Sequence, residues 1–249
     1  MLIRSDHNPL LTPHGIKPSR PDFEVIGVFN AGVTIFQGDV LLLLRVAERP
    51  IQADPDRILY PRLSADGQLT VESITRGDSN FDTSDPRLIR DRHSARVILT
   101  SISHIRLARS ADGIHFTADE APWLSAEPPY ESFGVEDARV TRIDGVYYVN
   151  YSAVSPYGIS TGLASTRDFE HVERLGIILP PANRDVTLFS EKINGQYICY
   201  HRPMPSLLGG LNIWLATSPD LLHWGEHRLV LENLQARYRR RATQRISRV

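Results

Sequence analysis

Four segments of the chain place a small polar residue directly before an apolar, strand-like run. The polar residues are Asn30, Asp85, Asp137 and Asp185, which lie 55, 52 and 48 residues apart. Each segment is followed by a turn and a second strand-like run, at residues 40–46, 96–102, 146–153 and 196–201. Short runs between Gly, Asp and Pro turns predict β-strands, and no long segment has the apolar spacing of an amphipathic helix. The pattern therefore predicts an all-β chain.

A second pattern recurs three times, at residues 107–116, 163–172 and 215–224. Each copy ends a strand, turns through an Asp (Asp112, Asp168, Asp220) and closes on an apolar or aromatic residue. Because an Asp side chain hydrogen-bonds its own backbone in such turns, we expect these three to be structural. A period of about 50 residues is typical of a β-propeller, in which one repeat is one four-stranded blade.

The repeats predict a propeller with about four blades in this chain. Blade 1 begins near Val25 and has its outer half at residues 58–63 and 69–74, blade 2 spans 85–116, blade 3 starts at Phe133, and blade 4 spans 185–224. The innermost strands of all blades start around one central cavity. We therefore expect the four repeated polar residues to converge on a shared pocket.

The domain organisation follows from where this pattern begins and ends. Residues 1–24 are rich in Pro and polar residues and are expected to form an N-terminal arm, and residues 25–231 form the propeller. Residues 232–249 lack apolar alternation and hold six Arg from Arg237 onward, where a fifth blade is expected to begin. Such a tail could bind nucleic acid or an acidic partner. We prefer a truncated or frame-shifted end, which would expose apolar blade faces and favour a homo-oligomer.

Composition limits the remaining classes. The chain has 249 residues, 41% of them hydrophobic, which suffices for one substantial core. The single cysteine, Cys199, excludes an internal disulfide framework. The N-terminus lacks an apolar signal core, and the longest apolar run, residues 40–44, is too short to cross a membrane. We therefore expect a cytoplasmic protein with no membrane or nucleic-acid partner.

The most concentrated chemistry lies in residues 134–139, with the sequence GVEDAR. Asp137 occupies the position expected to face the cavity, and Glu136 lies beside it. A carboxyl group in a narrow polar funnel is suited to general-acid catalysis. The alternative is that Asp137 only caps its strand.

A cationic group is expected in blade 4, where Arg184, His201 and Arg202 lie one strand pair apart. Guanidinium groups offer paired donors to phosphate or an oxyanion, although ion pairs with Asp185 or Glu191 are an equal alternative. Arg45, at the end of an apolar strand, poses the same choice, and His104 and Arg106 alternate onto one strand face. No His, Cys or Asp cluster has metal-ligand spacing, and neither a phosphate-binding Gly loop nor a nucleophile elbow is present.

Several motifs together resemble glycoside hydrolase family 130, the β-mannoside phosphorylases and related β-mannosidases. They are FGVEDARV at 133–140, DGVYYVNY at 144–151, NRDVTLFSEKING at 183–195, YHRP at 200–203, IWLATSPDL at 213–221 and HWG at 223–225. The resemblance extends from about residue 8 to 231. It implies a five-bladed propeller with its active site in the central funnel. Two departures are Ala138, where the family usually has Pro, and the absence of a matching fifth blade.

The resemblance also implies residue roles. Asp137 matches the general acid, which acts through a sugar hydroxyl, while phosphate attacks the anomeric carbon with inversion and gives α-mannose 1-phosphate. Arg184, His201 and Arg202 match phosphate-binding positions. Sugar-binding positions would be Asn30, Arg45, Asp85, His104 and Asp185. The implied partners are a short β-mannoside and inorganic phosphate, without a metal or organic cofactor. An inverting β-mannosidase and a non-catalytic sugar-binding propeller are the alternatives.

Overall fold

The computed structural model of the protein describes residues 5–205 and 208–232, so the predicted tail lies outside the described residues except for Glu232. Within these residues the chain is all-β, apart from a short 3-10 helix at Pro13–Gly15. No helix in these two stretches has the length and apolar character that crossing a bilayer requires. The strands are β1 Phe23–Phe36, β2 Asp39–Pro50, β3 Arg57–Leu63, β4 Leu69–Thr75, β5 Phe81–Asp82, β6 Leu88–Asp91, β7 Val97–Leu99, β8 Ile102–Ser110, β9 Thr117–Ala118, β10 Gly134–Ile143, β11 Val146–Ser155, β12 Gly158–Thr166, β13 Glu173–Leu179, β14 Asn183–Leu188, β15 Tyr197–Pro203, β16 Ile213–Ser218 and β17 Gly225–Leu231.

The chain divides into two compact units. The first holds the residues up to Val140 together with Ala153–Gly158, and the second holds Thr141–Ser152 and the residues from Ile159 onward. The predicted first blade corresponds to β1, β2, β3 and β4, and the β3–β4 hairpin turns at residues 64–68 as expected. However, β3 and β4 form a separate two-stranded sheet and do not extend the β1–β2 pair.

The predicted second blade, residues 85–116, is not a unit of its own, and this part of the repeat interpretation is wrong. Strand β2 pairs with β8 in an unbroken antiparallel register from Val40↔Ser110 to Glu48↔Ile102, and β9 pairs with β8. Strands β5, β6 and β7 form a three-stranded sheet between them in sequence. The first meander is therefore β1-β2-β8-β9, interrupted after β2 by an insertion of two small sheets.

The later strands follow the predicted order. Strands β10, β11, β12 and β13 are consecutive neighbours in one sheet, and β14, β15, β16 and β17 form an antiparallel four-stranded sheet. The motif that recurs three times ends β8, β12 and β16, the third strand of each meander. Three copies of this motif thus match the three four-stranded meanders of the described residues.

The three Asp turns are structural, as predicted. In each turn the Asp Oδ1 accepts the backbone N–H groups of the residues two and three positions later, at 2.8–2.9 Å. The Oδ2 atom contacts Nδ1 of the following His in every copy, at 2.7–2.9 Å. These hydrogen bonds hold the pKa of the three Asp carboxyls far below the ordinary value.

Each unit contains a hydrophobic core cluster of buried residues. In the first unit, Leu44, Val46 and Ala108 pack on one face of the β2–β8 pair. In the second unit, Leu163, Leu188 and Cys199 belong to one cluster against which Trp224 packs. Burial raises the pKa of the Cys199 thiol to about 12, so this cysteine is an inert core residue.

Candidate functional site

The first strand of each meander contains one polar residue in the left-handed backbone region. These residues are Asn30 (φ 50°), Asp137 (φ 53°) and Asp185 (φ 56°). The register shifts between Phe29 and Gly32 in β1 and between Arg184 and Thr187 in β14, so Asn30 and Asp185 lie in β-bulges. Asn and Asp tolerate this conformation better than most residues, and a bulge redirects a side chain away from the regular pleat. Each repeated polar residue thus marks a local change in backbone conformation within its strand.

The residue opposite the start of the bulge is also repeated. Arg45 of β2 is the partner of Phe29, and Arg202 of β15 is the partner of Arg184. Each arginine therefore lies directly across from the residue that precedes the left-handed Asn or Asp. Both arginines contact an Asp of this repeated kind, but Arg202 contacts Asp185 of its partner strand, whereas Arg45 contacts Asp137 of β10.

Asp85 does not share this geometry, and the prediction that it occupies a repeated inner-strand position is wrong. It lies in the turn before β6, where its Oδ1 accepts the N–H of Arg87 at 3.0 Å and its Oδ2 is 2.8 Å from the Arg87 guanidinium. The hydrogen bonds from Arg87 lower the pKa of Asp85 to about 2. The short strand β6 also follows a polar residue, so this local pattern alone does not distinguish the start of an inner blade strand from the start of β6.

The first candidate cluster is centred on Asp137. Its Oδ1 accepts a hydrogen bond from Asn30 Nδ2 at 2.9 Å and another from Arg45 Nη1 at 3.1 Å. Arg45 also contacts Glu136 Oε1 through Nη2 at 2.5 Å and Ser103 Oγ through Nε at 3.2 Å. Its guanidinium lies 4.6 Å from the centre of the Phe29 ring. One arginine thus holds two neighbouring carboxylates, and three predicted residues, Asn30, Arg45 and Asp137, come together.

The two donors to Asp137 leave its second oxygen available. Both hydrogen bonds end on Oδ1, and no residue in the described part of the chain donates to Oδ2. The Asp137 side chain keeps 14% of its surface exposed, which is enough for a ligand atom to reach it. The carboxyl group is therefore fixed in orientation, with one oxygen open to a hydroxyl group of a ligand.

Glycine packing fixes where β10 begins. Gly134 has φ 121°, and a Cβ at this position would lie 2.5 Å from the backbone nitrogen of Ser103 and 2.7 Å from its oxygen. Gly134 is also the parallel partner of Ser103 in the β8–β10 pair. Only glycine allows this approach, which brings the strand that carries Asp137 next to the strand that carries Ser103.

His104 lies on the other face of β8. Because the β2–β8 register is regular, the side chains of His104 and Arg106 point away from the face that carries Ser103. His104 Nε2 lies 3.2 Å from Arg106 Nη2. Burial, and secondarily the charge of Arg106, lowers the pKa of His104 to about 3. The structure therefore does not bring His104 into the Asp137 cluster.

The same face holds a buried ion pair that sequence reasoning missed. Arg106 Nη2 lies 3.6 Å from Glu48 Oε1, and both side chains are 1% exposed. Glu48 accepts hydrogen bonds from the N–H and hydroxyl of Ser19, and Arg106 donates to the carbonyl of Lys17 at 2.6 Å. The pair therefore ties the predicted N-terminal arm to β2 and β8. Glu48, which directly follows the apolar run of β2, was the one sequence signal that could have indicated this ion pair.

The second candidate cluster lies in the second unit and contains Arg184, Asp185 and Arg202. Arg202 donates through Nε to Asp185 Oδ2 at 2.7 Å, and its Nη2 contacts the same oxygen. Arg184 is the cross-strand partner of Arg202 and is half-buried. Guanidinium groups offer paired donors to an anionic ligand. The predicted ion pair with Asp185 is thus present, and the predicted anion site at Arg184 and Arg202 stays a prediction.

His201 is held on both sides of its ring. Its Nδ1 lies 3.0 Å from Asn183 Nδ2, and its Nε2 lies 3.0 Å from His227 Nδ1. Burial, and secondarily the nearby His227, lowers the pKa of His201 to about 4. The ring is therefore neutral near pH 7 and is committed to these two neighbours. His227 was not among the predicted site residues, because its contact with His201 joins β15 and β17.

One group in the described residues has atoms close enough to hold a metal ion: Asp168, Glu170 and His171, with ligand atoms within 4.8 Å. The Asp168–His171 contact is the same turn contact that Asp112 makes with His115 and Asp220 makes with His223. The turn itself therefore accounts for the proximity of these side chains.

Comparisons with known proteins identify relatives. The model of glycoside hydrolase family 130, described as β-1,4-mannooligosaccharide phosphorylase, matches residues 87–242. A β-1,2-mannobiose phosphorylase from Listeria innocua is 49% identical over 233 residues, which cover 92% of this chain and 66% of that protein. A 1,2-β-oligomannan phosphorylase from Thermoanaerobacter is 38% identical over 136 residues, 53% of this chain and 43% of that protein.

Solved structures show the same relationship. The β-1,2-mannobiose complex of the Listeria innocua enzyme superposes with a TM-score of 0.86 over 92% of this chain and 65% of that one. A glycosyl hydrolase from Bacteroides ovatus, 17% identical, has a TM-score of 0.61 and shares the fold. The chain thus spans about two thirds of the length of its 49% identical relative. Since the family model matches more than half of the chain, the protein belongs to glycoside hydrolase family 130.

Proposed function

We propose that the protein catalyses the phosphorolysis of short β-mannosides, with inversion, to α-mannose 1-phosphate. The observation that carries this proposal is the Asp137 carboxyl group, oriented by Asn30 and Arg45 and open at Oδ2. The names of the curated relatives, all mannoside phosphorylases, support the same substrate class. The 49% identity to a β-1,2-mannobiose phosphorylase favours the β-1,2 linkage.

Asp137 is proposed as the general acid. A proton leaves Oδ2, passes through a hydroxyl group of the mannosyl residue and reaches the glycosidic oxygen as the bond to the anomeric carbon breaks. Asn30 and Arg45 hold Oδ1, so the carboxyl group cannot rotate away from this path. Precise orientation of this kind accounts for a large part of the rate enhancement of enzymes.

Phosphate is proposed to bind Arg184 and Arg202. An oxygen of the phosphate attacks the anomeric carbon from the face opposite the leaving group, which inverts the configuration. The donors of Arg202 are shared with Asp185, so this carboxylate sets the direction of the guanidinium. His201, neutral and held by Asn183 and His227, supports the strand rather than supplying positive charge.

We further propose that the fold is the five-bladed propeller of its family, with the three meanders as blades. The strand order and the recurring turn after each third strand support this arrangement. The cytoplasmic location, the homo-oligomer and the absence of a cofactor other than phosphate stay predictions.

An inverting β-mannosidase is the second candidate function. A solved structure of a family 130 glycoside hydrolase that targets β-1,2-mannosidic linkages in Candida mannan shares the fold, at 17% identity and a TM-score of 0.60. Such an enzyme needs a carboxylate base to activate water in place of phosphate. The paired arginines Arg184 and Arg202 favour phosphate.

The experiment compares variants at the phosphate position. Arg184→Ala or Arg202→Ala should raise the phosphate KM at least tenfold and change the mannoside KM little, because a charged hydrogen bond contributes about 1.5–3 kcal/mol. Arg167→Ala, an exposed arginine on the β12–β13 turn, is the matched control. Equal effects on both substrates, or none, would assign Arg184 and Arg202 to a structural ion pair.

A further inference from the structure

We propose that a cleft in the first unit, between the inserted sheets and the start of β10, binds an additional sugar ring of a longer β-mannoside. The proposal deepens the proposed function and rests on it for the identity of the sugar. The cleft would make the length of the oligosaccharide, as well as its linkage, a determinant of specificity.

The cleft has a volume of about 350 Å³. One wall is formed by Tyr60 and Arg62 of β3 with Arg96 beside β7, and the other by Ser132, Phe133 and Pro156. The first wall belongs to the insertion between β2 and β8. The second consists of the residues that lead into β10 and follow β11. The volume lies at the lower end of the range of about 300–1,000 Å³ found for small-molecule sites.

The chemistry of the cleft suits a sugar ring. A pyranose has faces of C–H groups and a rim of hydroxyls, so its sites combine ring surfaces with planar hydrogen-bond donors. Phe133 and Pro156 offer apolar surface, and Arg62 and Arg96 offer guanidinium donors. Arg62 is held by Glu72 at 2.7 Å, and Tyr60 donates its hydroxyl to the same carboxylate. The guanidinium of Arg96 forms no hydrogen bond or ion pair within residues 5–205 and 208–232, so its donors are available to a ligand.

A second observation points to the same place. Tyr130 and Tyr157 lie on the two connections that form the second wall, with ring centres 6.1 Å apart. Their exposures are 52% and 67%, which is high for tyrosine rings that contact each other. Exposed aromatic rings at the rim of a cleft mark ligand-binding surfaces. Here they would extend the apolar platform for the sugar.

The cleft lies within reach of the proposed acid. Phe133 precedes Asp137 by four residues, a backbone span of at most about 13 Å in an extended strand. The Phe133 N–H donates to the Val154 carbonyl at 2.8 Å, which fixes the wall to β11. A sugar in the cleft and a bond cleaved at Asp137 can therefore belong to one short oligosaccharide.

The test uses the full chain and β-mannooligosaccharides of two and three units with one linkage. In the parent, kcat/KM should be higher for the trisaccharide. Arg96→Ala should lower the trisaccharide to disaccharide ratio of kcat/KM about tenfold, the effect of losing a charged hydrogen bond. Tyr157→Ala should lower the same ratio several-fold. Arg92→Ala, an exposed arginine outside the cleft lining, is the control and should leave the ratio at the parent value. An unchanged ratio in Arg96→Ala, or equal losses for both substrates, overturns the proposal.

A binding arm separates this proposal from the proposed function. If the parent cleaves no mannobiose with phosphate, the proposed function has failed. A calorimetric titration with mannotriose in the absence of phosphate then tests the cleft alone. Weaker binding by Arg96→Ala than by Arg92→Ala supports a sugar site. Equal binding by the two variants overturns the proposal, because the cleft then holds no sugar site. Competition by inorganic phosphate for the Arg96-dependent binding also overturns it, because the cleft is then an anion site.

Discussion

Removing one partner of the buried pair of Arg106 and Glu48 should destabilise the first unit strongly. The two side chains are 1% exposed and 3.6 Å apart, and the remaining acceptors of Glu48 are used by Ser19. We expect Arg106→Met to fill a similar volume but to leave the Glu48 carboxylate buried without its cation. The backbone carbonyl of Lys17 in the arm would lose its donor at the same time.

The magnitude follows from the separation. Two unit charges 3.6 Å apart at an effective dielectric constant of about 20 interact by about 4–5 kcal/mol. Breaking a buried pair by removing one partner costs about 3–5 kcal/mol in other proteins. We therefore expect the free energy of unfolding to fall by about 3–5 kcal/mol. The urea midpoint should fall by about 1–2 M.

The matched control is Arg109→Met on the same strand. Arg109 pairs with Asp119 at 2.8 Å, but the side chains are 37% and 42% exposed, so the loss should stay below about 1 kcal/mol. Urea unfolding followed by fluorescence and circular dichroism measures both. The double variant Glu48→Gln with Arg106→Met should lose less than the sum of the single changes, because no charge is then left buried. Equal losses in Arg106→Met and Arg109→Met would refute the reasoning.

Three further predictions concern packing, pH and catalysis. In urea unfolding, Gly134→Ala should lower the free energy of unfolding by more than about 2 kcal/mol, because its Cβ would lie 2.5 Å from the Ser103 nitrogen. Gly145→Ala, with open space around it, should cost only about 1 kcal/mol. His104 and His201 have folded pKa values of about 3 and about 4, below the ordinary 6.5, so the unfolded chain binds more protons and the free energy of unfolding should fall as the pH drops from about 6.5 to 4. The same unfolding series with His201→Gln should show a shallower slope, and an unchanged slope would contradict the assignment. Glu136→Gln should lower kcat by about 10²-fold with an intact circular dichroism spectrum, because Arg45 loses the ion pair that holds it beside Asp137. Initial-rate kinetics that give a parent-like kcat would remove Glu136 from this role.

Local patterns in the sequence predicted the local parts of the fold. The strand character, the β3–β4 hairpin and the Asp turns at Asp112, Asp168 and Asp220 depend on residues within a few positions of one another. The repeated Asn30, Asp137 and Asp185 were also found, since each precedes an apolar run. Their left-handed conformation shows why Asn or Asp stands there.

The non-local parts could not be predicted in the same way. The pairing of β2 with β8 spans the inserted sheets, and no local signal distinguishes a blade strand from β6, which led to the wrong position for Asp85. Which face of the sheet His104 lies on depends on the register of β8 with β2. The sequence alone therefore did not show that His104 lies beside Arg106 and away from Asp137. The contact between Arg45 and Asp137 joins residues 92 positions apart.

The central claim is that Asp137 protonates the leaving sugar while phosphate attacks the mannosyl carbon. The most direct measurement is the product of incubating β-1,2-mannobiose with and without inorganic phosphate, using the parent and Asp137→Asn. The account predicts phosphate-dependent α-mannose 1-phosphate from the parent. It predicts loss of turnover in Asp137→Asn with mannobiose binding retained, because the amide preserves shape but donates no acidic proton. Phosphate-independent release of free mannose, or activity of Asp137→Asn within a few-fold of the parent, would contradict the claim.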